Sequence, residues 1–356
     1  MNIRDEFNAK AIALVNTEVA SNKVAYLGAG LFPAKKKMGL DLKWIKTSKG
    51  LPVSLAPSTF DAVSTLRSRE GFKMDETEMA FFRESMLIKE SDEQEIMRAE
   101  DSSDPYAKDV LDKIFDDANT LVDGANVVPE RMIMQLLTPA DGHPKISILA
   151  NGTAYEYNYD KGGTYASKNF ANLTTDTDQW DDVENSDPLD DVAVALDSVE
   201  AETGERPEIM IVSRKTMNYL KQNKRIRSAI LAQNATANIF MNDNRVKEIF
   251  LNELGVSIIV YTKQYKNEDG VASKFYPDGF ATLIPRGTLG NTWYGTTPEE
   301  RTLLGKPTAD VSIVNTGVAV AVSVSEDPVQ TKTTVSEIVL PSYERMDSTY
   351  VIKCYD

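Results

Sequence analysis

Cysteine and histidine are almost absent from this sequence, which holds one of each, Cys354 and His143, in 356 residues. A single cysteine excludes an intramolecular disulfide framework and fits a protein made in a reducing cytoplasm. Zinc sites of the usual histidine and cysteine types are excluded as well. His143 lies in a Gly-His-Pro turn without a Gly-x-Ser-x-Gly motif, so a solvated turn histidine is favoured over a catalytic base. We expect no catalytic residue, no metal site and no cofactor.

Long apolar runs are absent too. No stretch of 18 apolar residues occurs, and the first ten residues are charged and lack the apolar region of a signal peptide. Neither a membrane span nor secretion is therefore expected. The composition, 42% hydrophobic, is that of a folded globular protein. At 356 residues the chain exceeds one typical core, which predicts two domains or one domain with large excursions.

Positive charge is scarce in the middle of the chain. Residues 101–200 hold 21 acidic and 6 basic side chains, whereas residues 1–100 and 201–356 are each balanced. The net charge of −15 therefore arises entirely in this middle stretch. Because such a chain repels polyanions, the charge argues against a protein that binds nucleic acid.

Part of the negative charge is clustered in residues 176–191. The members of the cluster are Asp176, Asp178, Asp181, Asp182, Glu184, Asp187, Asp190 and Asp191. They could hold calcium, but the glycine and the terminal glutamate of an EF-hand loop are missing at their usual spacing. The last three also fit the cap and first turn of a helix, so a solvated loop is favoured. The alternative is a cytoplasmic metal-dependent enzyme that acts on an anionic substrate through this loop.

One apolar stripe continues at helical spacing from Tyr106 to Leu136. Asp104 and the proline after it precede the stripe as an N-cap and a first helical residue. A continuous helix of about 33 residues would be about 50 Å long. Gly124 and Pro129 should kink or interrupt it.

The rest of the chain alternates between helical and extended patterns. We predict a short helix over residues 4–20 with Leu14 on its apolar face, a connection over 21–35 and a polar surface loop over 161–187. The next predicted elements are a β-hairpin over 145–160 that turns at Asn151 and Gly152, a helix over 188–203 with Val194 inward and a strand over 208–212. A helix capped by Ser213, a helix over 245–254 and a strand over 256–261 follow. The C-terminal part is predicted to hold strands within 279–324 and long strands over 330–356 with a break at Pro341.

Residues 31–90 are rich in basic and aromatic side chains and have an extended pattern. Alternation places Leu40, Leu42 and Trp44 on one side of a first strand. Turn residues 48–50 then lead into a second extended run. Since a projecting hairpin has too little core to be stable alone, we expect a neighbouring subunit to cover its apolar side.

Four short motifs occur in order in this region. They are Leu31-Phe32-Pro33, the strand from Gly39 to Trp44, the run from Arg67 to Phe72 and the run from Phe81 to Met86. Together they resemble the major capsid proteins of tailed phages, and more narrowly the family of the phage lambda major head protein. The resemblance is strongest over residues 25–100 and rests elsewhere on the order of elements. It implies an α+β chain with the Hong Kong 97-like capsid fold.

The resemblance also implies how the chain is organised and what it binds. The implied parts are an N-terminal arm (1–34), an extended loop (35–95), a peripheral domain with the long helix as its spine (96–160), an axial domain (161–325) and C-terminal strands that return to the peripheral domain (326–356). The candidate subunit-interface residues are Lys35, Lys36, Lys37, Leu42, Trp44, Arg67, Arg69, Glu70, Phe81, Phe82 and Glu84. The expected partners are other copies, in pentamers and hexamers of an icosahedral shell, and scaffolding, portal and decoration proteins. The shell would enclose double-stranded DNA without sequence-specific binding, in a virion head made in the host cytoplasm.

Overall fold

The chain folds as two units that are interleaved in sequence. Unit 1 comprises Met1–Lys43, Glu76–Met132 and Gly290–Ser342, and unit 2 comprises Trp44–Asp75, Ile133–Leu289 and Tyr343–Asp356. The computed structural model describes residues 8–14, 25–45, 74–90, 94, 106–150, 153–231, 241–268, 270–303, 310–326 and 329–356. No helix in these ranges combines the length and apolar character that a membrane span requires.

Several helices begin or end where local signals predict. They are α1 (Leu27–Leu31), α2 (Tyr106–Leu137), α3 (Thr164–Lys168), α4 (Pro188–Thr203), α5 (Arg214–Gln222), α6 (Lys224–Leu231), α7 (Asp243–Leu254) and α8 (Pro298–Leu303), and residues 9–14 are helical as well. Asp187 caps α4 by accepting a hydrogen bond from the Asp190 N–H, and Gly204 ends it with φ 71°. Ser213 caps α5 by accepting from the Thr216 N–H. These caps confirm the predicted end of α4 and the predicted start of both helices.

Seventeen strands lie in the described ranges. They are β1 (Ala34–Lys36), β2 (Asp41–Ile45), β3 (Met74–Glu78), β4 (Ala80–Ile88), β5 (Lys145–Ala150), β6 (Thr153–Asn158), β7 (Phe170–Asn172), β8 (Ile209–Val212), β9 (Ser257–Val260), β10 (Gln264–Lys266), β11 (Ala272–Lys274), β12 (Phe280–Ile284), β13 (Asn291–Tyr294), β14 (Asp310–Val314), β15 (Val318–Glu326), β16 (Val329–Ser342) and β17 (Tyr350–Lys353). Strands β5 and β6 form the predicted hairpin, and β2–β3 and β10–β11 are two-stranded sheets.

Unit 1 is built on a six-stranded sheet in the order β1-β13-β16-β15-β14, with β4 also paired to β16. The long strand β16 is its centre and pairs antiparallel with β4, β13 and β15. Val318, Val320 and Val335 of the sheet pack with Leu121 and Val122 of α2. This apolar layer is the core of unit 1, because burial of such side chains is the main favourable term in folding.

Unit 2 is built on a five-stranded sheet in the order β7-β17-β12-β8-β9. Its core contains Trp180, Leu196, Met210, Phe250 and Ile352, all of them almost fully buried. The last strand, β17, is therefore part of unit 2, while β16 is part of unit 1. The predicted C-terminal segment 326–356 is thus divided between the two units, and the named domain boundaries stay predictions.

The long helix is continuous. Helix α2 runs through Gly124 and Pro129 without interruption, so the prediction that these residues could break it is wrong in that respect. Pro129 removes one helical hydrogen bond, but Ala125 before it and Met132 after it are both buried. Tertiary packing on both sides of the proline therefore holds the helix together.

Two residues that were predicted to lie on the buried side of a helix are exposed. Leu14 is 59% exposed and Val194 is 61% exposed, whereas Ile12 and Leu196 are fully buried. Both misplaced residues lie two positions from a buried one, which on a helix is about 200° around the axis. Neighbouring elements, rather than the local pattern, decide which side of a short helix is buried.

Three predicted irregular segments are more ordered than expected. The connection 21–35 contains α1 and part of β1, and the loop 161–187 contains α3 and β7 and buries Trp180. Strand β16 also continues through Pro341 and ends after Ser342. The Gly295 N–H donates to the Ile338 carbonyl, so this residue pair is hydrogen-bonded. In an antiparallel ladder hydrogen-bonded and non-hydrogen-bonded pairs alternate. Pro341, three positions after Ile338, therefore belongs to a non-hydrogen-bonded pair and needs no N–H toward β13. The proline therefore costs no hydrogen bond with β13.

Candidate subunit-interface residues

The predicted first strand of the extended loop is present as β2, which pairs with β3. Leu42 is fully buried, and Leu40 on the same predicted side is 43% exposed. In this conformation Leu42 is thus held inside the subunit, and its part in an interface stays a prediction. The candidates outside the part of the chain that is described are Arg67, Arg69, Glu70 and the side chain of Trp44.

Lys35 and Lys36 lie on β1, which pairs parallel with β13, and Lys37 follows directly after it. Lys35 Nζ lies 5.5 Å from the centre of the Trp293 ring, a cation–π distance. Lys36 Nζ lies 2.6 Å from Glu300 Oε2, and the Lys37 N–H donates to a β13 carbonyl. Two of the three ammonium groups are therefore engaged within the subunit, and their part in an interface stays a prediction.

Strand β4 presents the most exposed apolar surface among the candidates. Among the described strands only β16 pairs with it, so β4 is an edge strand. Phe81 and Phe82 are partly buried, Glu84 is exposed, and Met86 and Leu87 are 39% and 51% exposed. Apolar side chains on a strand edge favour contact with another chain. Sequence reasoning had not selected Met86 and Leu87, although both lie in or beside the motif that it used.

A buried carboxylate network fixes β4 to α8. Glu299 is 4% exposed and accepts a hydrogen bond from Ser336 Oγ at 2.7 Å. Arg83 Nη2 lies 2.8 Å from the other oxygen, Glu299 Oε1. The guanidinium and the hydroxyl together compensate the buried charge. Sequence reasoning missed this network; the Thr-Pro-Glu-Glu helix start at 297–300 signals the position of Glu299 but not its partners.

The acidic cluster at 176–191 has structural roles. Asp187 caps α4 and pairs with Arg225 Nε at 2.8 Å. Asp191 Oδ2 accepts from Trp180 Nε1 at 2.8 Å, and burial raises the pKa of this carboxyl. Hydrogen bonding from Asn185 lowers the pKa of Asp182. Within the described ranges no three histidine, cysteine or acidic side chains are grouped to hold a metal ion. The geometry thus gives no support to a metal-dependent enzyme.

The lone histidine pairs with a carboxylate, and the lone cysteine is buried in the core of unit 2. His143 Nδ1 lies 3.2 Å from Oδ2 of Asp160, which is buried and also accepts from the Ala166 N–H. His143 is thus a partly exposed turn residue with a carboxylate partner, rather than a purely solvated one. Cys354 is fully buried, and burial raises the pKa of its thiol.

The chain is similar to phage capsid proteins over almost its whole length. A family model described as phage major capsid protein E matches residues 14–353. A phage-related protein from Bordetella bronchiseptica has a similar structure at 16% identity, with a TM-score of 0.54 and 96% of each chain covered. A putative prophage capsid protein from E. coli CFT073 is similar at 15% identity, with a TM-score of 0.55, over 98% of this chain and 99% of that one. The capsid asymmetric unit of cyanophage A-1(L) is similar at 13% identity, with a TM-score of 0.50, over 92% and 91%. No curated protein sequence matches the chain.

Proposed function

This chain belongs to the phage major capsid protein E family and is a shell protein of a phage head, and we propose that its copies form the pentamers and hexamers of an icosahedral shell around double-stranded DNA. The observation that carries the proposal is the family match over residues 14–353, which extends across both units. A match of this extent leaves little of the chain for a separate activity. The structural roles of the carboxylates at 176–191 also support a protein without catalytic activity.

Assembly is proposed to depend on residues 46–73 and on the edge of β4. Residues 46–73 connect β2 to β3, and these two strands pair with each other. The segment therefore starts and ends at the same two-stranded sheet. An extended loop that lies over a neighbouring subunit would add contact area beyond ordinary surface patches, and stable interfaces bury about 1,200–2,000 Å² in total. Strand β4 continues the chain from β3 and exposes Met86 and Leu87. The loop and this edge are therefore proposed as one continuous contact region.

The other proposed partners follow from the family and from charge. Scaffolding and portal proteins, and a decoration protein where the phage has one, would bind the shell during or after its assembly in the host cytoplasm. The acidic excess of residues 101–200 is proposed to face the shell lumen or an assembly partner, because a negative inner wall repels packaged DNA. A structure of the assembled shell tests this. Location of Asp123 and of the loop 176–191 mainly on the exterior would contradict it.

Electron microscopy of the purified full-length protein tests the function itself. Size-exclusion chromatography and negative stain should show closed shells. Replacing residues 46–73 by a short glycine-containing turn keeps β2 and β3, and should leave a folded subunit that forms no shells. A matched control is Val194→Ser, at an exposed site in unit 2, which should assemble normally. Closed particles from the loop replacement would refute the assembly role of the loop. Failure of the unaltered protein to form any particle, alone and when produced together with the scaffolding protein of its phage, would refute the proposed function.

A further inference from the structure

Two buried carboxylic acids lie against opposite faces of β16. On one face Ser336 and Arg83 hold the carboxylate of Glu299. Glu337 follows Ser336 in β16, and it faces the other side of the sheet because side chains alternate along a strand. Glu337 is 1% exposed, and neither of its carboxyl oxygens has a hydrogen-bond partner among the described residues. The buried charge of Glu299 is therefore compensated by a guanidinium and a hydroxyl group, whereas Glu337 has neither partner within the described part of the chain.

Glu337 is buried on the face of β16 that packs against α2. Val335, two residues away on the same face, packs with Leu121 and Val122 of α2. Phe82 of β4 is the residue directly opposite Glu337 in the ladder. On the other side of β16, Tyr294 pairs with Val339, again two residues from Glu337. Its neighbours are thus aliphatic and aromatic groups that give a carboxylate no favourable contact.

No charged group on the described surrounding elements compensates Glu337. The charged or titratable residues of these elements whose side chains are described are Arg83 and Glu84 on β4, Tyr294 on β13, Asp310 on β14, Lys332 on β16, Asp123, Glu130 and Arg131 on α2, Glu299, Glu300 and Arg301 on α8, and Lys10 in the helical stretch 9–14. Burial raises the pKa of Glu337 well above its usual range, with no offset from any of them. Burial, and then the charge of Glu337, raise the pKa of Tyr294.

The same two elements, β16 and α2, hold further buried polar atoms without partners among the described residues. Thr333 Oγ1 belongs to β16, four residues before Glu337 and therefore on the same face, and Asn119 Oδ1 belongs to α2. Buried polar atoms in folded proteins are nearly always hydrogen-bonded. Entry of water between β16 and α2 would satisfy such groups, so a second, more open arrangement of this layer is favoured by them.

We propose that Glu337 is a proton-linked lock on the layer between α2 and the sheet of unit 1. The closed arrangement is stable while the carboxyl group is neutral. Loss of the proton creates a buried, unpaired charge, which favours an arrangement in which Glu337 reaches water or a cation. Because the folded state holds the proton more tightly than the open state, the closed layer is favoured at acidic pH. It is weakened as pH rises above the ordinary carboxyl range.

Hydrogen exchange of the unassembled full-length subunit tests the lock independently of shell formation. Exchange is measured by mass spectrometry from about pH 5, just above the ordinary carboxyl range, to about pH 9, with peptides of unit 2 as the internal reference. In the unaltered protein the opening of β16 and of residues 119–132 should increase by up to about tenfold per pH unit. In Glu337→Gln, which is neutral at every pH, that increase should vanish. The matched control Glu84→Gln, an exposed acid on the same sheet face, should keep it.

A second measurement covers the case in which Glu337→Gln folds poorly. Infrared spectra of the unaltered protein near neutral pH should contain the carbonyl band of a protonated carboxylic acid, and Glu337→Met, an apolar replacement of similar length, should lack it. Glu337→Met should also show the pH-independent exchange expected of Glu337→Gln. Equal pH dependence in the unaltered protein and both variants, or no protonated-acid band at neutral pH, would overturn the proposal.

Discussion

The sharpest structural prediction concerns Gly290, the first residue of unit 1 after the chain leaves unit 2. A Cβ atom at this position would lie 1.7 Å from the backbone oxygen of Ser342 and 3.0 Å from the Phe32 ring. The obstacle is main chain in a sheet, not the end of a flexible side chain. Gly290→Ala must therefore push β13 away from β16, and we expect it to destabilise unit 1 strongly.

The magnitude follows from the contacts that would be lost. Ordinary van der Waals contact begins at 3.4 Å, so a Cβ atom 1.7 Å from the Ser342 oxygen would require the oxygen to move by about as much again. Ser342 Oγ accepts from Asn291 N at 3.2 Å and from Trp293 Nε1 at 3.1 Å, and donates to the Asn291 carbonyl at 3.1 Å. Overpacking costs about 1–3 kcal/mol, and each net hydrogen bond adds about 1 kcal/mol. With all three hydrogen bonds lost, the expected loss is about 4–6 kcal/mol, a large part of the stability of a typical domain.

Gly124→Ala is the matched control, since it adds the same methyl group. Gly124 lies inside α2, and no neighbouring atom lies within 4 Å of the position that a Cβ would take. Alanine in a helix is favoured over glycine by about 0.5–1 kcal/mol. Urea unfolding, followed by hydrogen exchange and mass spectrometry of peptides, measures the stability of unit 1 separately from that of unit 2. Opposite signs for the two variants are expected in unit 1. A loss below about 1 kcal/mol for Gly290→Ala, under the overpacking range, would refute the close crossing of β13 and β16.

Three other substitutions or reactions probe single contacts. Arg83→Met should destabilise unit 1 by about 1–3 kcal/mol because Glu299 stays buried with one hydroxyl partner, and adding Glu299→Gln should recover most of the loss in urea unfolding. Leu136→Ala, at a fully buried site, should cost about 2–5 kcal/mol in the same assay, and a negligible change would mean that this end of α2 is not packed. Cys354 is buried with a raised thiol pKa, so iodoacetamide at neutral pH should label it only after unfolding, as mass spectrometry would detect; rapid labelling of the native subunit would contradict its burial.

Much of the local structure was predictable because its causes are local. The apolar stripe that begins at Tyr106 has the helical period over its whole length, and α2 follows it for 32 residues. Asp187 and Gly204 mark the two ends of α4 by capping chemistry that depends on adjacent residues. The order of short motifs between residues 31 and 86 was sufficient to indicate the family, which the match over residues 14–353 confirms.

The incorrect or missing predictions concern features whose causes are not local in the sequence. Arg83 and Glu299 are more than 200 positions apart in the sequence, and no local pattern indicates that they meet. The predictions that Leu14 and Val194 face inward are wrong. The neighbouring elements decide which side of a short helix is buried, and the apolar pattern of such a helix fits more than one rotation about its axis. The predicted contacts of residues 67–70 lie outside the described ranges and stay predictions.

The amino-acid sequence by itself determined the helices with strong caps, the β5–β6 hairpin, the uneven charge and the family, since each depends on residue order over short distances. Tertiary structure alone decided the pairing partners of β16. Those partners place Glu299 beside a guanidinium and a hydroxyl and leave Glu337 buried without either among the described residues. The physical reason is that burial and compensation of a charge depend on which strands and helices surround it. Two adjacent residues of one strand, Ser336 and Glu337, face different surroundings that their sequence neighbours do not specify.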